Sequence, residues 1–88
     1  MLGMIVVELA FGDEPARLAA RAAHRRVLAE LRERGTLVMA GPWADDSGAL
    51  LVFDADRSEV DDVLARDPYY ATEGVRVVGL REWRPVVS

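Results

Sequence analysis

Three short segments of this chain, Met4-Ile5-Val6-Val7, Leu37-Val38-Met39 and Leu50-Leu51-Val52, are apolar at consecutive positions. A β-strand sends alternate side chains to opposite faces of its sheet, so unbroken apolar runs of this length read as strands buried on both faces. The 88 residues make one domain, 1–88, with a single core. Only two other segments have the length and period of helices. Two helices cover one face of a sheet, and this chain holds nothing further for the other. The simplest source of a second cover is another copy, sheet against sheet, so a homodimer is expected.

The remaining elements follow from their punctuation. Strands are expected near 4–10, 36–41, 49–53 and 75–84, and helices near 15–34 and 57–66. Asp13 reads as the N-cap of the first helix, with Pro15 in its first turn and Gly35 just past its end. Asp56-Arg57-Ser58-Glu59 reads as a capping box for the second helix, and Pro68 ends it near Asp67. In the last strand, alternation puts Val75, Val77 and Trp83 on one face and Val78 and Leu80 on the other. The order β-α-β-β-α-β predicts an α+β, ferredoxin-like fold: a four-stranded antiparallel sheet with both helices on one face.

Composition removes several function classes. Net charge is −4 and no basic run interleaves with aromatics, which argues against nucleic-acid binding. All eleven basic residues are arginine, so lysine chemistry is absent. With no cysteine and one histidine, neither a disulfide nor a zinc site is expected, and the metal expectation is none. No phosphate loop, nucleophile elbow or cofactor fingerprint appears, so any chemistry is expected to be cofactor-free. The apolar start, Met1–Ala10, is too short to span a membrane and has no basic flank. A cytoplasmic protein without membrane contact is the expectation.

The histidine is the anomaly. At about 100° per residue the first helix gathers Ala16, Ala20, Ala23, Val27, Leu28 and Leu31 on one face, with His24 among them. Arg21, Arg25, Arg32 and Glu33 point elsewhere. The second helix has a stripe of Val60, Val63 and Leu64, and the next position on that face is Asp67. Burying either ionisable group alone is costly, and pairing them offsets part of that cost. Two inward faces with one titratable residue each point to an imidazole–carboxylate pair.

The run from His24 to Leu31, Gly35, Leu37, Ala40-Gly41-Pro42, Gly48, Asp67-Pro68-Tyr69, Gly74 and Trp83 together resemble the YCII-related family. The resemblance covers nearly the whole chain. It implies a dimeric α+β barrel, in which two ferredoxin-like protomers pack their sheets together. It also implies a histidine–aspartate active site, which carries over onto His24 and Asp67.

Other candidates have plainer readings beside functional ones. Asp67, before a proline, reads equally as a turn cap. Arg17 lies two turns before His24 and reads either as a substrate-carboxylate ligand or as a solvated side chain. Asp46, like Asp45, is first a solvated turn residue and second a substrate contact. Tyr69 and Tyr70 read as packing or as pocket lining, and Trp43 as a pocket lid or a protomer-boundary contact. Two functions follow. One is a small enzyme using His24 and Asp67 in general acid/base chemistry on a small organic acid or aromatic breakdown product. The other is a non-catalytic dimeric module that binds a small ligand or a partner protein.

Overall fold

The computed structural model describes residues 3–87, which leaves Met1, Leu2 and Ser88 of the expected single domain outside the description. Along the chain run β1 (Met4–Phe11), α1 (Pro15–Glu33), β2 (Leu37–Pro42), β3 (Gly48–Phe53), α2 (Arg57–Arg66), a 3-10 turn (Pro68–Ala71) and β4 (Val75–Trp83). The four strands form one antiparallel sheet in the order β2-β3-β1-β4. This is the ferredoxin-like βαββαβ fold. Among the described residues no helix is long and apolar enough to cross a membrane.

One sheet face and the helices make the core. Val7, Leu9, Leu51 and Phe53 project from the central strands and meet Leu31 of α1 and Val60 of α2. Burying each such side chain contributes on the order of 1.5–3 kcal/mol. Helix ends follow their signals in part. Asp56 caps α2, accepting the Glu59 N–H at 2.8 Å, and Gly35 takes the left-handed φ of +81° after α1. The residue before Pro15 is Glu14, which occupies the cap position of α1 without a side-chain bond, so Asp13 is not the cap. Proline at the first helical position has no N–H to satisfy, and the Arg17 N–H two residues on is taken by the Glu14 carbonyl at 3.2 Å.

Two register shifts change which side chains share a face. In β4 the shift lies beside Val78: Leu9 faces Val77, whereas Val7 faces Leu80. Paired residues of antiparallel strands project to the same side. Leu80 therefore joins Val75 and Val77 on the helix side, and Trp83, opposite Met4, turns to the other face. The alternation expected from sequence is broken because the extra residue inverts the phase. A second shift near Val38 leaves Met39 opposite Val52 and Ala40 opposite Leu51. Met4, Val6, Val38, Met39, Val52 and Trp83 thus line an apolar hollow of about 740 Å³ on the helix-free face. Among the described residues no helix covers it.

Candidate active site

Asp67 stands where α2 gives way to the 3-10 turn. Its φ and ψ of −89° and 113° are the extended values that a following proline favours. The carboxylate then does two things. Oδ1 accepts the Tyr69 N–H at 3.0 Å, and Oδ2 lies 2.7 Å from Nδ1 of His24. Both side chains are buried. A carboxylate only accepts, so Nδ1 carries the hydrogen of this bond and Nε2 is the ring nitrogen left for other partners.

The turn that Asp67 caps also encloses the imidazole. Tyr69 stacks on it with ring centroids 3.8 Å apart and planes 6° from parallel. Tyr70 meets it edge-on, with centroids 5.3 Å apart. Burial, helped by the charge of Asp67, pushes the Tyr70 phenol well above its ordinary range, and its hydroxyl has no partner among the described residues.

His24 forms part of the wall of a cavity of about 240 Å³ between α1 and the β2 side of the sheet. Leu9, Leu28, Ala49 and Leu51 supply apolar lining, and Arg17, Arg21, Arg25 and Asp46 supply charge. Arg17 is buried, against the plainer reading of a solvated side chain. It donates to Oδ2 of Asp46 at 3.0 Å and lies over the Phe11 ring, 4.3 Å from its centroid. Burial works against its cation, but Asp46, with Tyr69 adding to it, more than offsets this and raises its pKa. Asp46 holds its place in a left-handed conformation, φ +58°, that aspartate tolerates better than most residues. Its neighbour Asp45 caps the same turn by accepting the Ser47 N–H at 3.0 Å, and the Ser47 hydroxyl first, with this N–H second, lowers its pKa.

Two placements differ from the helical reading. The inward line of α1 is Arg17, Ala20, His24, Val27, Leu28 and Leu31, while Ala16 and Ala23 are exposed. Arg21 and Arg25, expected to point elsewhere, line the cavity. An apolar stripe locates the side of a helix that meets a core, and here part of that side meets a cavity that accepts charge. Arg21 lies three residues before His24 and four before Arg25, so the three share one side of the helix, but that spacing alone does not mark a cavity. Trp43 lies outside the cavity lining, half-exposed, with its ring beside Gly48. Among the described residues no three His, Asp or Glu side chains converge as metal ligands.

The fold has a solved counterpart. The 5-chloro-2-hydroxyhydroquinone dehydrochlorinase of Burkholderia phenoliruptrix AC1100, solved in complex with 2,5-dihydroxybenzoquinone, superposes with a TM-score of 0.69. The match covers 93% of this chain and 92% of that one at 19% identity, which speaks to the fold alone. No curated protein matches the chain by sequence. The YCII-related domain matches residues 1–84, nearly the full length over which the motifs and the βαββαβ order run, and the chain belongs to the YCII-related family.

Proposed function

We propose that this protein is a small acid/base enzyme whose proton carrier is His24, acting on a small organic acid or aromatic breakdown product. The observation that carries this reading is the 2.7 Å contact of Nδ1 with Asp67 in a ring that also lines a cavity. With its hydrogen on Nδ1, the neutral imidazole can take a proton through Nε2. The adjacent carboxylate then stabilises the imidazolium that forms. Returning the proton elsewhere on the substrate is an isomerisation. Losing a leaving group from the carbanion is an elimination, and accepting the proton from water opens a hydrolysis. The structural counterpart is a dehydrochlorinase, a name that denotes elimination, and was solved with a ring compound bound.

The helix-free face supports a homodimer as the working form. A second copy is the cover that best fits a hollow lined by Met4, Val6, Met39 and Trp83.

Hydrogen exchange tests the chemistry without knowledge of the full reaction. Candidate hydroxylated aromatics and keto acids are incubated in D₂O and followed by mass spectrometry. Wild type is expected to wash deuterium into an acidic C–H position, and His24→Ala to slow this about 10²–10⁴-fold. Binding of the same compounds with no exchange above the buffer rate would overturn the enzyme reading. The close cover of the ring by Tyr69 would then favour the binding module.

A further inference from the structure

We propose that Arg21 and Arg25 hold an anionic group of the molecule that His24 works on, so that the ligand is a small organic anion with an apolar body. This rests on the acid/base reading for what happens to the ligand, but the binding it describes is separable from that reading.

Four charged side chains other than the histidine line the cavity: Arg17, Arg21, Arg25 and Asp46. Arg17 is already committed. Its guanidinium is bonded to Asp46, points Nε at the Gly12 carbonyl 3.4 Å away and covers Phe11. Turning it to a ligand would strand a carboxylate and break this set. Arg17 and Asp46 are therefore a neutral structural pair, and the substrate-carboxylate role considered for Arg17 passes to its neighbours. Arg21 and Arg25 form no ion pair with any described residue. Arg21 is also half-buried, whereas Arg25 reaches the cavity from an exposed position at its rim. A cation placed partly out of water at a cavity wall, with no partner, is stabilised by whatever anion enters.

The helix puts these groups within reach of one small molecule. At 3.6 residues per turn, residues 21, 24 and 25 fall within an arc of about 100°. An anion between the two guanidinium groups is thus held beside Nε2 of His24. The apolar part of the ligand meets Leu9, Leu28, Ala49 and Leu51. A volume of about 240 Å³ equals the space of about eight liquid waters, the scale of one substituted ring or a short-chain acid. Net charge of the whole protein is −4, so a general attraction for anions does not explain such binding.

The single histidine makes the site observable, because its imidazole ¹H–¹⁵N signals are unique in the spectrum. Benzoate, salicylate and 2,5-dihydroxybenzoquinone are titrated into the full chain, with the corresponding methyl esters or ethers as uncharged partners. The anions are expected to shift the His24 signals and to bind more tightly than the uncharged forms. Arg21→Gln and Arg25→Gln should each weaken the anions about ten-fold and leave the uncharged forms unchanged. Arg26→Gln, at an exposed position outside the cavity lining, makes the same change in net charge and should have no effect. Arg21→Lys keeps the cation and should retain most of the affinity, which separates lost charge from lost folding. Equal binding of charged and uncharged forms overturns the proposal. So does an Arg26→Gln effect as large as that of Arg21→Gln, or the absence of any anion-induced shift at His24. Deuterium exchange decides the other reading independently. Arginine-dependent binding without exchange keeps the anion site and discards the acid/base role, whereas His24-dependent exchange indifferent to both arginines does the reverse.

Discussion

One carboxylate at Asp67 serves two donors, and its two oxygens are not interchangeable. Oδ1 is fixed by the Tyr69 N–H, whose hydrogen cannot move, so the partner of His24 is always Oδ2. In Asp67→Asn the carbonyl oxygen must take the Oδ1 place, and the amide NH₂ then faces Nδ1. Two donors cannot share that contact, so the imidazole is expected to move its hydrogen to Nε2. The variant should keep its stability to within about 1 kcal/mol, because both hydrogen bonds survive with roles exchanged. Its Nε2 is no longer a base, and proton transfer should fall sharply. Imidazole ¹⁵N shifts read the tautomer directly; an Nδ1–H form retained in Asp67→Asn refutes this assignment. Tyr70 gives a pH prediction. Its phenol is pushed upward by burial, so the folded chain keeps a proton that the unfolded chain gives up near pH 10. Below that pH both states hold the proton and Tyr70 adds no pH dependence. Above it, unfolding releases a proton and stability falls by up to about 1.4 kcal/mol per pH unit. Tyr70→Phe removes this loss and a buried hydroxyl without a partner. Urea melts at pH 8 and pH 11 should show the variant gaining about 1 kcal/mol on wild type between the two.

At the scale of elements, what could be read from sequence was whatever depends on a few adjacent residues. The Asp56 cap, the stop at Pro68 and Gly35 after α1 are local chemistry, and the element order that follows from them was legible. The pairing of His24 with Asp67 was legible too, because each stood out on an apolar face. The faces of β4 were not, since a register shift is set by the partner strand and leaves no mark in alternation. Nor was the pair of Arg17 with Asp46, which joins residues 29 apart through a turn whose path depends on tertiary packing. The cavity role of Arg21 and Arg25 was hidden because a helical stripe distinguishes apolar from polar, not core from cavity. The two strands that flank the Asp46 turn hold glycines with opposite surroundings. A Cβ on Gly48 would collide with the Leu9 carbonyl oxygen, a backbone atom of β1 that cannot move without disturbing the ladder. A Cβ on Gly41 meets nothing within 4 Å. Gly48→Ala should therefore cost more than about 2 kcal/mol, and Gly41→Ala less than about 0.5 kcal/mol, by denaturant unfolding. Similar losses at both positions would mean that the close approach of β3 to β1 is wrong.

For the whole molecule, the helix-free face is the largest structural demand, because it is apolar and uncovered by either helix. Met39 is 65% exposed and Trp83 48% exposed there, beside the largely apolar hollow. A dimer through this face should bury on the order of 2,000 Å² in total, as obligate interfaces do. Two-fold symmetry places every substitution at the interface twice. In Met39→Glu two carboxylates would enter an apolar contact without partners, a cost of several kcal/mol for each ion. In a single chain the same side chain stays in water and the fold should tolerate it. Wild type is thus expected to sediment as a dimer at micromolar concentration, and Met39→Glu as a monomer with an unchanged far-ultraviolet spectrum. A monomeric wild type, or a Met39→Glu dimer, would place the partner elsewhere. β2 is the wall shared by both sides, with Met39 turned to the hollow and Ala40 and Pro42 to the His24 cavity. Because the lining of the His24 cavity includes α1 residues and Leu9, Leu51 and Tyr69 of the helix-side core, away from the hollow, the monomeric variant should still bind the anionic probes at His24. Loss of that binding together with the dimer would show that a partner completes the site.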